Sequence, residues 1–245
     1  MTSARGTTAA VVTIGALVLS GCSSNPDPAD GTSTHSVVPT SHAPAAAGTA
    51  QVHVRFDDPS TPLRGFTVID RGRNGVPSFR VHDGLLVHGA PEAPGAALYT
   101  STSVAADAVT RIGATVRFPD GGTSGAIALL VGAHPVPKSE DDPAPSAAVH
   151  FVADPDGWSY AVWPEGTRAQ DVLARGRYRS PIEKSSARFE VQLVGSTVTV
   201  LLPDDTAVTL TDPRIGTYRG PVATWELYEA TPDLKPAAFA ELWAG

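Results

Sequence analysis

From residue 51 onward the chain alternates. Arg188, Glu190 and Gln192 interleave with Phe189, Val191 and Leu193. Val52, Val54 and Phe56 interleave with His53 and Arg55, and Phe79 and Val81 with Arg80 and His82. A period of two sends successive side chains to opposite faces of a strand, so each run reads as a strand with one apolar and one polar face. Further strand-like runs cover 66–70, 85–87, 96–102, 109–118, 126–131, 222–228 and 238–243, with Gly and Pro clusters between many of them. Runs at 148–152 and 158–163 flank Asp154-Pro155-Asp156-Gly157 and predict a hairpin. The clearest unit is 187–212, where Gly195-Ser196 and Pro203-Asp204-Asp205 turn three strands into a meander. No long window favours helical spacing over alternation, and only 105–109 leaves room for a single turn. Many short strands, no repeat and no helix predict an all-β, two-sheet antiparallel sandwich of jelly-roll type over 51–245.

The first 50 residues follow other rules. Arg5 precedes an apolar run at 9–19, and Leu19-Ser20-Gly21-Cys22 ends it. A charged start, a short apolar core and a small-residue exit make a secretory signal, and the run is too short to span a bilayer. The last four residues resemble the lipobox of bacterial lipoproteins. That resemblance implies cleavage of 1–21, a lipid on Cys22, and anchorage to the outer face of the cell membrane. Residues 22–50 are rich in Ser, Thr, Pro and Ala, with Val37 and Val38 the only larger aliphatic side chains. Such a segment buries too little apolar area to offset its ordering entropy, so it reads as a disordered tether.

Charge and cysteine content exclude several functions. The formal net charge is −7, and loss of Arg5 with the signal makes it −8. An acidic chain is a poor nucleic-acid binder. It also has little electrostatic hold on anionic headgroups, so membrane attachment falls to the lipid. Cys22 is the only cysteine, so no disulfide can form within the chain. Only three lysines occur, far fewer than arginines, and Ala, Gly and Pro are abundant, which points to a high-GC genome such as an actinobacterium's.

Several segments together resemble the concanavalin A-like lectin/glucanase superfamily. They are His150-Phe151, Asp156-Gly157-Trp158, Phe189-Glu190-Val191, Gly195-Ser196-Thr197-Val198, Pro203-Asp204-Asp205 and Trp225-Glu226-Leu227-Tyr228. The resemblance covers most of 51–245. It implies two curved sheets and a concave face on which members of that superfamily commonly bind glycans.

Catalytic motifs are absent from the sequence. Glucanases of that superfamily place carboxylates on one strand at Glu-x-Asp-x-x-Glu spacing, near the separation of about 5–5.5 Å that a retaining mechanism needs. Glu140-Asp141-Asp142 meets Pro145 where the second Glu belongs, and Glu226 and Glu229 fall on opposite strand faces. Gly122-Thr123-Ser124-Gly125 lacks the Gly-x-Ser-x-Gly frame, and no His-Glu-x-x-His occurs. No catalytic residue, cofactor or metal ligand is therefore assigned, although Asp154 and Asp156 are of the type that helps hold calcium.

What remains is the polar side of the strands. His82, His150, Gln192, Glu226 and Tyr228 each stand opposite apolar neighbours, and Trp163 points away from Trp158, Tyr160 and Val162. If their strands are neighbours, His150, Trp163, Gln192, Glu226 and Tyr228 line one ligand-binding surface. Trp225 with Leu227, and Trp243 with Phe239, read as core. The expected function is a non-catalytic binding or accessory module of the cell envelope with a glycan as ligand. The alternatives are a carbohydrate-active hydrolase or lyase with a site around His150 and Glu226, and a protein-interaction module of an envelope complex.

Overall fold

The fold was analysed in a computed structural model. It describes residues 34–38, 51–57, 63, 65–71, 79–88, 96–104, 108–119, 124–135, 145, 147–167, 169–180, 182, 186–229 and 235–245. The signal run, Cys22, most of the 22–50 tether, the acidic group Glu140-Asp141-Asp142 and most of the turn at 105–109 lie outside these residues.

The strands in chain order begin with β1 (Thr34–Val38), β2 (Val52–Arg55), β3 (Thr67–Arg71), β4 (Phe79–His82) and β5 (Leu85–His88). Then come β6 (Ala96–Ser103), β7 (Arg111–Arg117), β8 (Ala126–Gly132), β9 (Ala148–Ala153) and β10 (Gly157–Trp163). The last are β11 (Asp171–Arg177), β12 (Ser186–Val194), β13 (Thr197–Leu201), β14 (Ala207–Thr211), β15 (Val222–Glu229) and β16 (Ala238–Ala244). One short helix, α1 (Pro213–Tyr218), lies between β14 and β15. The strands form two antiparallel sheets. One runs β1-β14-β13-β12-β7-β16-β5-β4, with β2 also paired to β16, and the other runs β11-β10-β9-β8-β15-β6-β3.

The alternation read from sequence sorts the two faces of each sheet. Phe189, Val191 and Leu193 on β12, Ile112, Ala114 and Val116 on β7, and Val198 and Val200 on β13 belong to the core. They meet Ile127, Leu129 and Val131 on β8, Phe151 on β9, Tyr160 on β10 and Trp225 on β15. Phe189 gathers Phe118, Phe151 and Tyr178 around it, with ring centroids 5.8–6.3 Å apart, in the tilted and edge-on contacts aromatic rings prefer. Tyr178 donates its hydroxyl to the Gly157 carbonyl at 2.7 Å, which satisfies a buried polar tip. The meander β12-β13-β14 and the β9–β10 hairpin form as expected. Gly195, at φ 58°, turns β12 into β13 in a backbone conformation that glycine enters without strain.

The structure departs from the sequence reading in three places. Residues 34–38 belong to the stretch read as a disordered tether, yet they pair with β14 from Thr34↔Thr211 to Val38↔Ala207. Without β1, β14 would be a bare sheet edge offering unpaired N–H and C=O groups, and an extended polar chain can dock there through its backbone alone. β1 thus joins the edge of the larger sheet beside β14.

The helix α1 was not expected. Asp212 caps it, accepting the Arg214 N–H at 2.9 Å, and Pro213 occupies its first turn. Both are helix-start signals visible in Asp212-Pro213.

Trp243 is buried, 3 % exposed, as its reading as core requires, but on the opposite sheet face from Phe239. The register of β16 on β7 shifts between Phe239 and Glu241, so Ala240 is an extra, bulged residue that reverses the alternation. Phe239 and Leu242 both face the core, and Trp243 lies on the outward face.

Candidate functional site

The outward face of the seven-stranded sheet collects most of the sequence-predicted residues. Cross-strand partners share a face, so the rows Ala161↔His150↔Leu130↔Thr224 and Ser159↔Val152↔Ala128↔Glu226 run side by side across β10, β9, β8 and β15. Trp158, Tyr160 and Val162 point inward from β10 and Trp163 outward, as the alternation requires.

His150 is the hub. The indole N–H of Trp163 donates to His150 Nδ1 at 3.0 Å, a diagonal contact across the β9–β10 pair. The Gln170 side-chain amide lies 3.0 Å from the same nitrogen. An indole nitrogen only donates, so Nδ1 accepts from it, the ring proton sits on Nε2, and the Gln170 amide turns its NH2 rather than its oxygen toward Nδ1. Nε2 faces Glu226 Oε2 at 3.5 Å. The two side chains meet over β8, where Ala128, Glu226's partner, is too small to obstruct them. At this distance and angle Nε2 still lacks a hydrogen-bond partner, although His150 is only 7 % exposed. A buried donor without an acceptor costs free energy, so this one calls for an explanation. Tyr228 stands two residues along β15 on the same face, half-buried. Burial, and then the charge on Glu226, raises its hydroxyl pKa above the usual tyrosine value.

His150, Trp163, Glu226 and Tyr228 are therefore brought together. Gln192 is not, which corrects its inclusion in this surface. It sits on β12 in the other sheet and donates to Glu190 Oε1 at 2.8 Å. Glu190 also accepts from the Trp243 indole at 3.1 Å, and Arg188 lies over the Trp243 ring, 3.9 Å from its centroid. This second polar cluster satisfies itself. His82 is likewise distant, on the terminal strand β4 of that other sheet, with Asp83 3.4 Å away. Gln170 was missed because it lies in the loop before β11, where no periodicity marks it. Ser159 and Thr224, the remaining polar residues of the two rows, carried no signal beyond alternation.

Chemically, the face offers one carboxylate, one neutral imidazole with a donor unspent, and two half-buried aromatic rings. Among the described residues, no second carboxylate stands beside Glu226 on this face, so the paired-acid geometry of a retaining glucanase is not assembled there. Nor do three His, Cys, Asp or Glu residues gather as a metal site among the described residues. Asp154 closes the β9–β10 turn: its Oδ1 accepts the N–H groups of Asp156 and Gly157, both at 2.8 Å. Burial raises its carboxyl pKa above the usual value, against the lowering effect of those two donors.

No protein-family model and no curated protein matches this sequence. Solved structures match its fold. The Emp47p carbohydrate recognition domain superposes with a TM-score of 0.59 at 9 % identity, over 82 % of this chain and 98 % of that one. A non-specific endo-beta-1,3(4)-glucanase of family GH16 gives 0.57 at 11 %, over 85 % and 98 %. The CBM2 module of the evolved Dit protein from Lactobacillus casei phage J-1 gives 0.53 at 12 %, over 80 % and 94 %. Identities this low speak for architecture alone. The domain has the two-sheet jelly-roll fold of concanavalin A-like lectins and glucanases.

Proposed function

We propose that this chain is an exported envelope lipoprotein, anchored by a lipid on Cys22, whose sandwich binds a glycan on the outward face of the seven-stranded sheet without cleaving it. The observation that carries the reading is the unsatisfied His150 Nε2 donor, held beside the Glu226 carboxylate. A sugar hydroxyl is both donor and acceptor. Placed between these two groups it would take the Nε2 hydrogen and give its own to Glu226. Trp163 and Tyr228 flank this point as aromatic surfaces for the apolar side of a sugar ring. The carbohydrate-binding and glucanase neighbours support the reading by showing the architecture in proteins of that kind.

The test is a glycan array probed with the full chain in detergent. Binding is expected for wild type and should drop for Glu226→Gln and Tyr228→Ala, with melting temperatures little changed. A wild-type protein that binds no glycan removes this function. For the anchor, Cys22→Ala should move the protein from the detergent-extracted membrane fraction to the soluble fraction, and equal retention would overturn the lipid assignment.

A second reading has one specific observation behind it. The His150–Glu226 pair, 3.5 Å apart, is the geometry of an acid–base dyad, which fits a hydrolase or lyase. Release of reducing ends or unsaturated sugars from a bound glycan, lost in both His150→Gln and Glu226→Gln, would favour this reading over simple binding.

A further inference from the structure

The row that contains Glu226 does not stop at β10. Ser159 pairs onward with Arg175, and Gly157 with Arg177, on β11. Glu226, Ala128, Val152, Ser159 and Arg175 thus form one line across five strands of the outward face. At the usual strand spacing that line is about 19 Å long. Its floor is made of small or short side chains. A carboxylate stands at one end and exposed arginines at the other.

The same arginines also border a cleft of about 210 Å³ at the open edge between the two sheets, behind the outward face. Its lining includes Arg175, Arg177 and Arg179, with Trp158, Leu202 and Val208 supplying apolar wall. Two of the nearby acids already accept hydrogen bonds. Asp204 accepts the Arg179 backbone N–H at 2.7 Å on one oxygen and the Thr206 hydroxyl and N–H on the other. Asp154 accepts two turn N–H groups, and Arg177 reaches it only as a distant charge that favours its ionised form. No ion pair holds the guanidinium of Arg175, Arg177 or Arg179 among the described residues. Asp204 lines the same cleft and Asp154 and Asp156 stand nearby, so Arg175 and Arg177 are singled out by their exposure on β11 without an ion pair, not by a net positive charge.

We infer that the ligand of this face is an acidic saccharide lying across the strands, with its carboxylate- or phosphate-bearing sugar at Arg175 and Arg177 and its neutral sugars over His150 and Glu226. The inference rests on the proposed glycan-binding reading and adds the ligand's charge and direction. Guanidinium groups hold carboxylate and phosphate through paired, charge-assisted hydrogen bonds. Glu226 repels an anionic sugar at the far end, so the two ends of the row set one orientation. An edge strand also carries arginines to discourage sheet-to-sheet association. That explanation predicts no ligand dependence, and so it is separable by experiment.

The experiment measures binding of the full chain in detergent to three probes by calorimetry: a neutral oligosaccharide ending in a single galacturonate, the same oligomer with that carboxyl methyl-esterified, and a mannan oligosaccharide ending in a single mannose phosphate. Either anionic probe should bind at least about tenfold more tightly than the esterified one. Which anion binds more tightly identifies carboxylate or phosphate as the preferred group. Arg175→Gln with Arg177→Gln should remove about tenfold or more of the anionic probe's affinity and flatten its salt dependence, since each lost contact is a charged hydrogen bond. Both positions are exposed, so the melting temperature should hold. Equal affinity for charged and esterified oligomers overturns the inference, as does an arginine double variant that binds like wild type, or a wild type that binds neither anionic probe. If Glu226-dependent binding to neutral glycans survives any of these results, the proposed function stands and only the acidic ligand falls.

Discussion

Trp243 reaches Glu190 across the bare backbone of Gly113. The three residues are cross-strand partners in one row of the larger sheet, Glu190↔Gly113↔Trp243, and the indole N–H donates to Glu190 Oε2 at 3.1 Å. A Cβ on Gly113 would fall inside the Trp243 ring and 2.7 Å from the Phe189 carbonyl. Gly113→Ala should therefore push the indole off Glu190 and cost about 1–3 kcal/mol of stability, the usual range for overpacking. Urea unfolding measures it, and a variant as stable as wild type would show that the ring can move without loss.

The other side of Gly113 carries a bond between the two sheets. Trp225, fully buried on β15, donates its indole N–H to the Gly113 carbonyl on β7 at 2.9 Å. Trp225→Ala should cost about 3–5 kcal/mol through the cavity it leaves. Trp225→Phe keeps most of the volume and isolates the hydrogen bond, and should cost about 0.5–1.5 kcal/mol, since the Gly113 carbonyl stays in the β7–β16 ladder. Equal unfolding midpoints for Trp225→Phe and wild type would assign all of Trp225's contribution to packing.

Asp212 gives a prediction in pH. Its side-chain bonds to Arg214, at 2.9 and 2.7 Å, are the main cause that holds its carboxyl pKa below the usual value. A depressed folded-state pKa means stability that is fully present above the unfolded value, about 3.9, and lost as pH falls through the lower folded value. Thermal unfolding between pH 5 and pH 2 should show wild type losing its advantage over Asp212→Asn in that acid window. A constant difference across the window would mean the carboxylate charge contributes nothing.

The tautomer of His150 is directly observable. With Nδ1 accepting from Trp163, nitrogen NMR near neutral pH should report a neutral ring protonated on Nε2. Trp163→Phe should release Nδ1 and shift the tautomer populations. An Nδ1-protonated ring in wild type would instead place its donor on Gln170 and undo the hydroxyl-binding geometry proposed for Nε2.

Much of this was legible because it is local. Whether Phe189 or Glu190 faces the core follows from one bond's worth of chain geometry, and both sides of β12 and β15 came out as alternation requires. Asp212-Pro213 carried a helix signal that strand-rich surroundings obscured. Trp243 was misplaced because one bulged residue, Ala240, reverses every face after it, and nothing in Phe239-Ala240-Glu241 announces which backbone will absorb an extra residue. The edge strand β1 was missed for a different reason. Its composition reports poor core-forming power, whereas its docking on β14 uses backbone hydrogen bonds that composition does not encode.

The sequence by itself determined the strand content, the faces of most side chains and the candidate residues His150, Trp163, Glu226 and Tyr228. It could not determine which strands are neighbours, because pairing is settled by packing between segments far apart in the chain. Only the tertiary structure put Gln192 in one sheet and His150 and Glu226 in the other. Strand order also lined up Glu226 with Arg175 across β15, β8, β9, β10 and β11. Periodicity fixes a side chain's direction relative to its own strand, while register and strand order decide what that side chain meets.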